Sequence, residues 1–205
     1  MIPRRFILVS VLIVGVSSLV IACDRGPSAS SGPSTPLSPS ALPASAGSAV
    51  AAASPRGRQD VLVNMQDACD PATFDAVIGA GTCVRAGGMQ FSQFIDQLTR
   101  LGFVGPWHFA PPNANVQVGQ TFVALNKGGE VHTFTEVTEF GGGIVPSLNE
   151  LAHVPTVAPE CAALDPDDFV APGAAYREDV EHTGTLKFQC CIHPWMKLEA
   201  KASTR

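Results

Sequence analysis

Charge is scarce in this chain. Only 15% of its 205 residues are Asp, Glu, Lys or Arg. That is too few for a coiled coil, whose flanking positions carry charge throughout. A basic surplus is missing as well, since thirteen Lys and Arg face eighteen Asp and Glu for a net charge of −5. A nucleic-acid-binding face needs the opposite balance and is not expected. Long apolar runs are missing too. The stretch Phe6 to Val16 is nearly unbroken but spans only eleven residues, too short to cross a bilayer. What is plentiful is apolar residues, at 45%, with seventeen Pro, nineteen Gly and six Cys. The apolar share supports a real core and excludes disorder of the whole chain. The length allows one domain with an appendage. Six cysteines are many for a cytosolic protein and ordinary for an exported one.

The N-terminus sets the expected compartment. Arg4 and Arg5 form a basic n-region ahead of the Phe6–Val16 run, as in a signal peptide. The run leads to Val20-Ile21-Ala22-Cys23, which resembles a bacterial lipobox. The resemblance implies cleavage before Cys23 and lipid attachment at its thiol. The residues around Arg4-Arg5 match a twin-arginine signal poorly. Residues 23–59 are almost wholly Ser, Ala, Pro and Gly and cannot bury enough surface to order themselves. They read as a disordered tether between a lipid anchor and a folded part. The expected organisation is a signal peptide at 1–22, the tether at 23–59, a helical extension at 60–102 and a β domain at 103–205. The expected location is the bacterial envelope, periplasmic or otherwise extracytoplasmic, with a lipid anchor in a membrane.

In the extension, Phe91, Phe94, Ile95, Leu98 and Leu101 follow a helical period that Gly102 stops. Asp70-Pro71 opens a short helix through Val77, and Gly79, Gly81, Gly87 and Gly88 force loops. From Phe103 onward the texture changes to short β runs. Thr121–Leu125, Val131–Val137, Tyr176–Val180, Thr185–Cys190 and Met196–Lys201 read as strands, with a turn at Asn126–Gly129. This spacing predicts a β-sandwich or small barrel. The stretch 138–170, broken by Gly and Pro, reads as loop-rich. Its Glu139–Gly143 segment resembles a phosphate loop only superficially, since no strand-to-helix context surrounds it.

One constellation carries chemistry. Cys190, His193 and Met196 stand as Cys-x2-His-x2-Met. Thiolate, imidazole and thioether together are a soft donor set, which favours copper over magnesium or calcium. Pro194 opposes a helix there, so the three share a tight loop after a strand. In that strand Leu186, Phe188 and Cys190 share the core face, and Lys187, Gln189 and Cys191 the other. A trigonal site needs one more nitrogen, from His108, His132, His153 or His182. His132 fits best, because it follows the Gly128-Gly129 turn in phase with Phe134. The other three read as surface or structural histidines. Zinc would want four closed nitrogen or sulfur donors. A two-copper centre would need Cys190 and Cys191 to face the same way. Five histidines without a His-x-His pair cannot build a trinuclear cluster beside a mononuclear site.

These residues resemble the cupredoxin family, in its plastocyanin, amicyanin and pseudoazurin group. Val116-x-Val118-Gly119-x-x-Phe122-x-x-Leu125-Asn126 through His132-x-Phe134 is similar to the first half of such a domain. Gly184-x-Leu186-x-Phe188-x-Cys190-x-x-His193-Pro194-x-Met196 is similar to the second, with a ligand loop of amicyanin type. The resemblance implies a mainly β fold, a Greek-key sandwich with a small helical N-terminal extension. It implies one copper ion cycling between Cu(I) and Cu(II), held by His132, Cys190, His193 and Met196, with His193 as a partly exposed exit edge. The function implied is electron transfer to a transient protein partner by a monomer with no enzymatic activity. The alternative is a copper-handling module without an electron-transfer role. Two departures stand out. Thr133 follows the first histidine where small cupredoxins usually have Asn, and the separation of His132 from Cys190 points to an insertion at 138–170.

With Cys23 as lipid attachment and Cys190 as thiolate, four cysteines remain, and four allow three pairings. Cys69 with Cys83, by proximity, and Cys161 with Cys191, pinning the insertion to the ligand strand, are the favoured pairs.

Overall fold

The computed structural model describes residues 59–204. The signal segment, Cys23 and nearly all of the tether lie outside the described residues.

The strands are β1 (Val61–Gln66), β2 (His108–Ala110), β3 (Asn113–Gln117), β4 (Thr121–Asn126), β5 (His132–Thr133), β6 (Thr135–Glu136), β7 (Phe169–Val170), β8 (Ala175–Asp179), β9 (Gly184–Gln189) and β10 (Lys197–Ser203). The helices are α1 (Pro71–Val77), α2 (Phe91–Leu101) and α3 (Pro146–Leu151). One sheet runs β2-β1-β4-β8, the other β3-β10-β9-β6, and β5 pairs with β7 in a small ribbon. Each large sheet contains one parallel pair, β1 with β4 and β3 with β10. The fold is therefore mainly β, a sandwich with a small helical addition, as the strand texture predicts.

Strict alternation explains why the sheets face each other. In β4, Phe122, Ala124 and Asn126 are buried, and in β10 so are Leu198, Ala200 and Ala202. Four phenylalanines fill the space between the sheets. Phe134 stacks on Phe188 with ring centres 4.5 Å apart, Phe122 meets Phe188 at 5.1 Å, and Phe109 meets Phe134 at 5.3 Å. Each such burial contributes about 1.5–3 kcal/mol, and each aromatic pair roughly 0.5–1.5 kcal/mol more.

Two stretches differ from expectation. Residues 61–66, assigned by sequence to a helical extension, form a central strand of the first sheet. The cause is plain in the packing, because Val63 and Met65 alternate into the core with no exposure. The run Val131–Val137 is not one strand. It breaks after Thr133, so that β5 pairs with β7 while β6 pairs with β9. That break hands the chain from the ribbon to the second sheet immediately after His132.

The helices form where the caps lie. Asp70 accepts the Thr73 N–H at 3.1 Å, and Pro71 opens α1. Gln90 and Gln93 cap α2 reciprocally, and Gly102 ends it in the left-handed conformation at φ 75°. Phe94 and Leu98 bury the inner face of α2. The stretch 138–170 contains α3 and two 3₁₀ turns rather than loop alone. Among the described residues, no helix is long and apolar enough to cross a membrane.

Candidate metal centre

Strand β9 ends at Gln189, and the next seven residues fold back to start β10. The turn closes on its own backbone. Met196 N–H donates to His193 O at 2.9 Å, and Cys190 N–H donates to Met196 O at 3.1 Å. Pro194 has no N–H to satisfy in this tight loop. Across the pocket, His132 opens β5. The structure thus brings Cys190, His193 and His132 together, although His132 lies 58 residues from Cys190. His132 and Cys190 have no exposure, and His193 has 3%. Met196, at the end of the same turn, is also fully buried.

The donor atoms converge. Cys190 Sγ lies 3.8 Å from His132 Nδ1 and 3.8 Å from His193 Nδ1. All three donor atoms lie within 4.8 Å of one another. Metal–nitrogen bonds of about 2.0 Å and metal–thiolate bonds of about 2.3 Å, set at trigonal angles, separate nitrogen from sulfur by about 3.7 Å. The spacing therefore fits one ion between them. The donor types fit copper, since two imidazoles, a thiolate and a nearby thioether are the soft trigonal set.

Electrostatics prepare the sulfur. Burial pushes the Cys190 thiol up, but hydrogen bonds and charge from His132 and His193 outweigh it and hold it well below the ordinary thiol range. The thiolate is the form that binds metal. Thr133 N–H also points at Cys190 Sγ, at 3.4 Å. The Thr133 hydroxyl accepts Cys191 N–H at 2.8 Å, so Thr133 joins the segments that carry His132 and Cys190.

Two buried carboxylates back the histidines, and sequence reasoning missed both. Asp67, just past β1, accepts His132 Nε2–H at 2.9 Å, with its side chain 1% exposed. That bond directs Nδ1 toward the sulfur, as a ligand imidazole requires. Burial pushes His132 down, but Asp67 and Cys190 reverse this and raise it to about 9. Burial likewise pushes Asp67 up, and the hydrogen bonds from His132, Glu130 N–H and Gly129 N–H outweigh it and leave it lowered. This close approach demands glycine at 128, where a Cβ would collide with the Asp67 carboxylate. Glu130 accepts Trp107 Nε1–H at 2.7 Å and lies 3.6 Å from His193 Nε2. Burial raises Glu130, only partly countered by His193 and Trp107. Neither carboxylate belongs to a sequence motif. Asp67 is 65 residues from the histidine it contacts. Asp67, Cys69 and Glu130 also cluster, but Cys69 is tied up in a disulfide and offers no thiolate.

The remaining predicted residues sit elsewhere. His108, His153 and His182 are exposed and outside the donor cluster. His108 Nδ1 lies 3.0 Å from Gly105 O, and His182 is 3.6 Å from Glu136. Cys69 is bonded to Cys83 and Cys161 to Cys191, while Cys190 is the free cysteine among the described residues. Cys190 lies in the main core, and Cys191 in a small separate cluster with Val137, Ala158 and Cys161. The two neighbours thus point to opposite sides of their strand. One expectation fails. His193 is not a partly exposed edge but a buried side chain, because α1, α2 and α3 close over it, together with Trp195 at 5.5 Å.

No protein-family model and no curated protein matches the chain. Among solved structures it is similar to a purple cupredoxin from Nitrosopumilus maritimus, with 14% identity over 70% of this chain and 100% of that one and a TM-score of 0.40. It is also similar to an amicyanin mutant in the Cu(I) form, with 16% identity over 48% of this chain and 76% of that one and a TM-score of 0.34. A reduced amicyanin mutant gives 19% identity over 49% and 77%, with a TM-score of 0.34. Likenesses this distant carry no weight for the site, whose chemistry rests on the donors themselves.

Proposed function

We propose that the chain is a cupredoxin-type, mononuclear copper electron-transfer protein, held at the bacterial envelope through acylated Cys23. The observation that carries this reading is the convergence of His132 Nδ1, His193 Nδ1 and the Cys190 sulfur in a buried pocket. These three residues would hold the ion, with Met196 as the weaker fourth donor. Bound copper supplies a one-electron couple between Cu(I) and Cu(II).

The protein's share is to keep the donors in place. Asp67 fixes the ring of His132, Thr133 ties its segment to the ligand loop, and the loop closes on its own backbone. A frame that holds the same geometry for both oxidation states leaves little to rearrange when an electron moves. This reading gives the chain no catalytic role. Its partner is a redox protein met transiently, since such encounters bury little surface. Donors with 0–3% exposure suit retention of the metal better than the rapid exchange a copper-handling module needs.

The experiment is a copper titration of the purified chain. One equivalent of Cu(II) should bring up an intense visible band from thiolate charge transfer, and Cys190→Ser should abolish it. A colourless Cu(II) form, or no stoichiometric binding, would sink the reading.

A further inference from the structure

The three helices lie outside the strand pairing of the sandwich, yet residues of all three line one cavity with His193. Together with the ligand loop they line an open-mouthed cavity of about 340 Å³. Helices α1 and α2 line it with Phe74, Phe91 and Phe94, and α3 contributes Leu148. Glu130 and His193 line it too and are 6% and 3% exposed. Ile78, which also lines the cavity, is 55% exposed and marks its rim.

A cavity of this volume is of the size that takes small ligands. Its lining limits the occupant. The walls are mainly phenyl and aliphatic, with the hydroxyls of Thr82 and Ser147 also among the lining, and they offer water few partners. They favour a flat apolar body, and Phe74 already packs edge-to-face on Phe91 and Phe94, with ring centres 5.2 and 5.5 Å apart. An anion would meet the Glu130 carboxylate. A cation would leave water for walls that are nearly all apolar, beside a carboxylate already facing Trp107 Nε1–H and His193 Nε2. A neutral molecule with one hydroxyl answers both constraints, because its O–H can donate to Glu130.

We propose that this cavity binds a small neutral hydroxyaromatic molecule, of the phenol or hydroquinone class, with its ring among Phe74, Phe91 and Phe94 and its hydroxyl donating to Glu130. A ligand seated there lies against His193, the imidazole shared with the metal centre. The site goes beyond the copper reading, and occupancy needs no metal.

The test is a titration of the metal-free 205-residue chain with phenol, followed by two-dimensional NMR. The expected result is saturable shifts confined to cavity residues, His193 and Leu148 among them. Toluene, which keeps the ring and loses the hydroxyl, should bind at least tenfold more weakly, and so should benzylammonium. Ile78→Trp should weaken phenol at least tenfold by filling the rim, and Leu148→Trp should do so from within. If Leu148→Trp fails to fold, Ile78→Trp decides, since its side chain is already largely in water. Absence of saturable shifts, toluene or benzylammonium binding as tightly as phenol, or unchanged binding in a folded Ile78→Trp protein would overturn the proposal. Because copper is absent, a failure of the copper reading leaves this readout untouched.

Discussion

Asp67 shows how far a single side chain can act from its place in the sequence. Its carboxylate receives Gly129 N–H at 2.9 Å, Glu130 N–H at 3.0 Å and His132 Nε2–H at 2.9 Å. One buried charge therefore shapes the turn before β5 and orients the ring that follows it. Asp67→Asn keeps the size but removes the charge that faces His132, and an NH2 in place of Oδ1 can no longer accept Cys69 N–H or share Gly129 N–H. Such partners of a ligand histidine typically account for about 10–100-fold in metal affinity. Copper competition titrations of Asp67→Asn should show a loss in that range with the metal-free fold retained, and unchanged affinity would show that Asp67 does not position the ligand. At this scale the sequence is legible where spacing is local. Cys-x2-His-x2-Met and the opposite facing of Cys190 and Cys191 follow from strand phase, and the structure places the two cysteines in separate clusters. Asp67 and Glu130 were not legible, because their partners are chosen by tertiary folding and no local pattern marks an acceptor for a distant imidazole.

Elements add constraints that single residues cannot supply. The bond between Cys161 and Cys191 closes 30 residues and fastens the insertion beside the ligand loop. Chain entropy assigns a loop of that length about 3–4 kcal/mol. Replacing both cysteines with Ala should lower the free energy of urea unfolding by about that amount. An unchanged midpoint would mean that the insertion holds its place without the staple. The loop closed by Cys69 and Cys83 is reinforced differently. Asp75, in α1, accepts Gly81 N–H and Cys83 N–H, both at 3.0 Å. Those bonds favour the charged form and lower the Asp75 carboxyl from its ordinary value. A lowered folded-state pKa contributes stability above the unfolded-state value of about 3.9, and that stability is lost as pH falls through the folded-state value. The wild-type chain should therefore outlast Asp75→Asn in thermal melts at pH 6, and the gap should close as the pH drops below about 3.9. A gap that persists at low pH would exclude the carboxylate as its cause. The helices were readable from period and caps, as Asp70-Pro71 and Gly102 show. Strand β1 was not assigned, because six residues of alternating texture between a tether and a helix give weak evidence of pairing. Its parallel match to β4 is a long-range choice that local sequence does not encode.

For the whole molecule, the sandwich assembles the donors before any metal is present. His132 comes from the ribbon beside the first sheet, and Cys190 and His193 from the turn between β9 and β10, so their approach to 3.8 Å requires the folded core. The unfolded chain keeps Cys190, His193 and Met196 close in sequence but parts them from His132, so it should bind metal more weakly. Metal that prefers the folded state must stabilise it, by about 2.7 kcal/mol when free copper is a hundred times the dissociation constant. For a folded part of this size that is a rise of about 5–10 °C in melting temperature. Adding copper should raise the midpoint progressively with concentration. The same addition to Cys190→Ser should leave its midpoint nearly unmoved, because the remaining imidazoles and thioether lack the thiolate that anchors the ion. Equal rises in both proteins would place the stabilising copper at surface groups such as the exposed His108 or His182 and remove the donor cluster from the account. A rise confined to the protein with Cys190 would show that the four phenylalanines between the sheets and the three donors at one end form a single cooperative unit, in which holding the metal and holding the fold are one equilibrium.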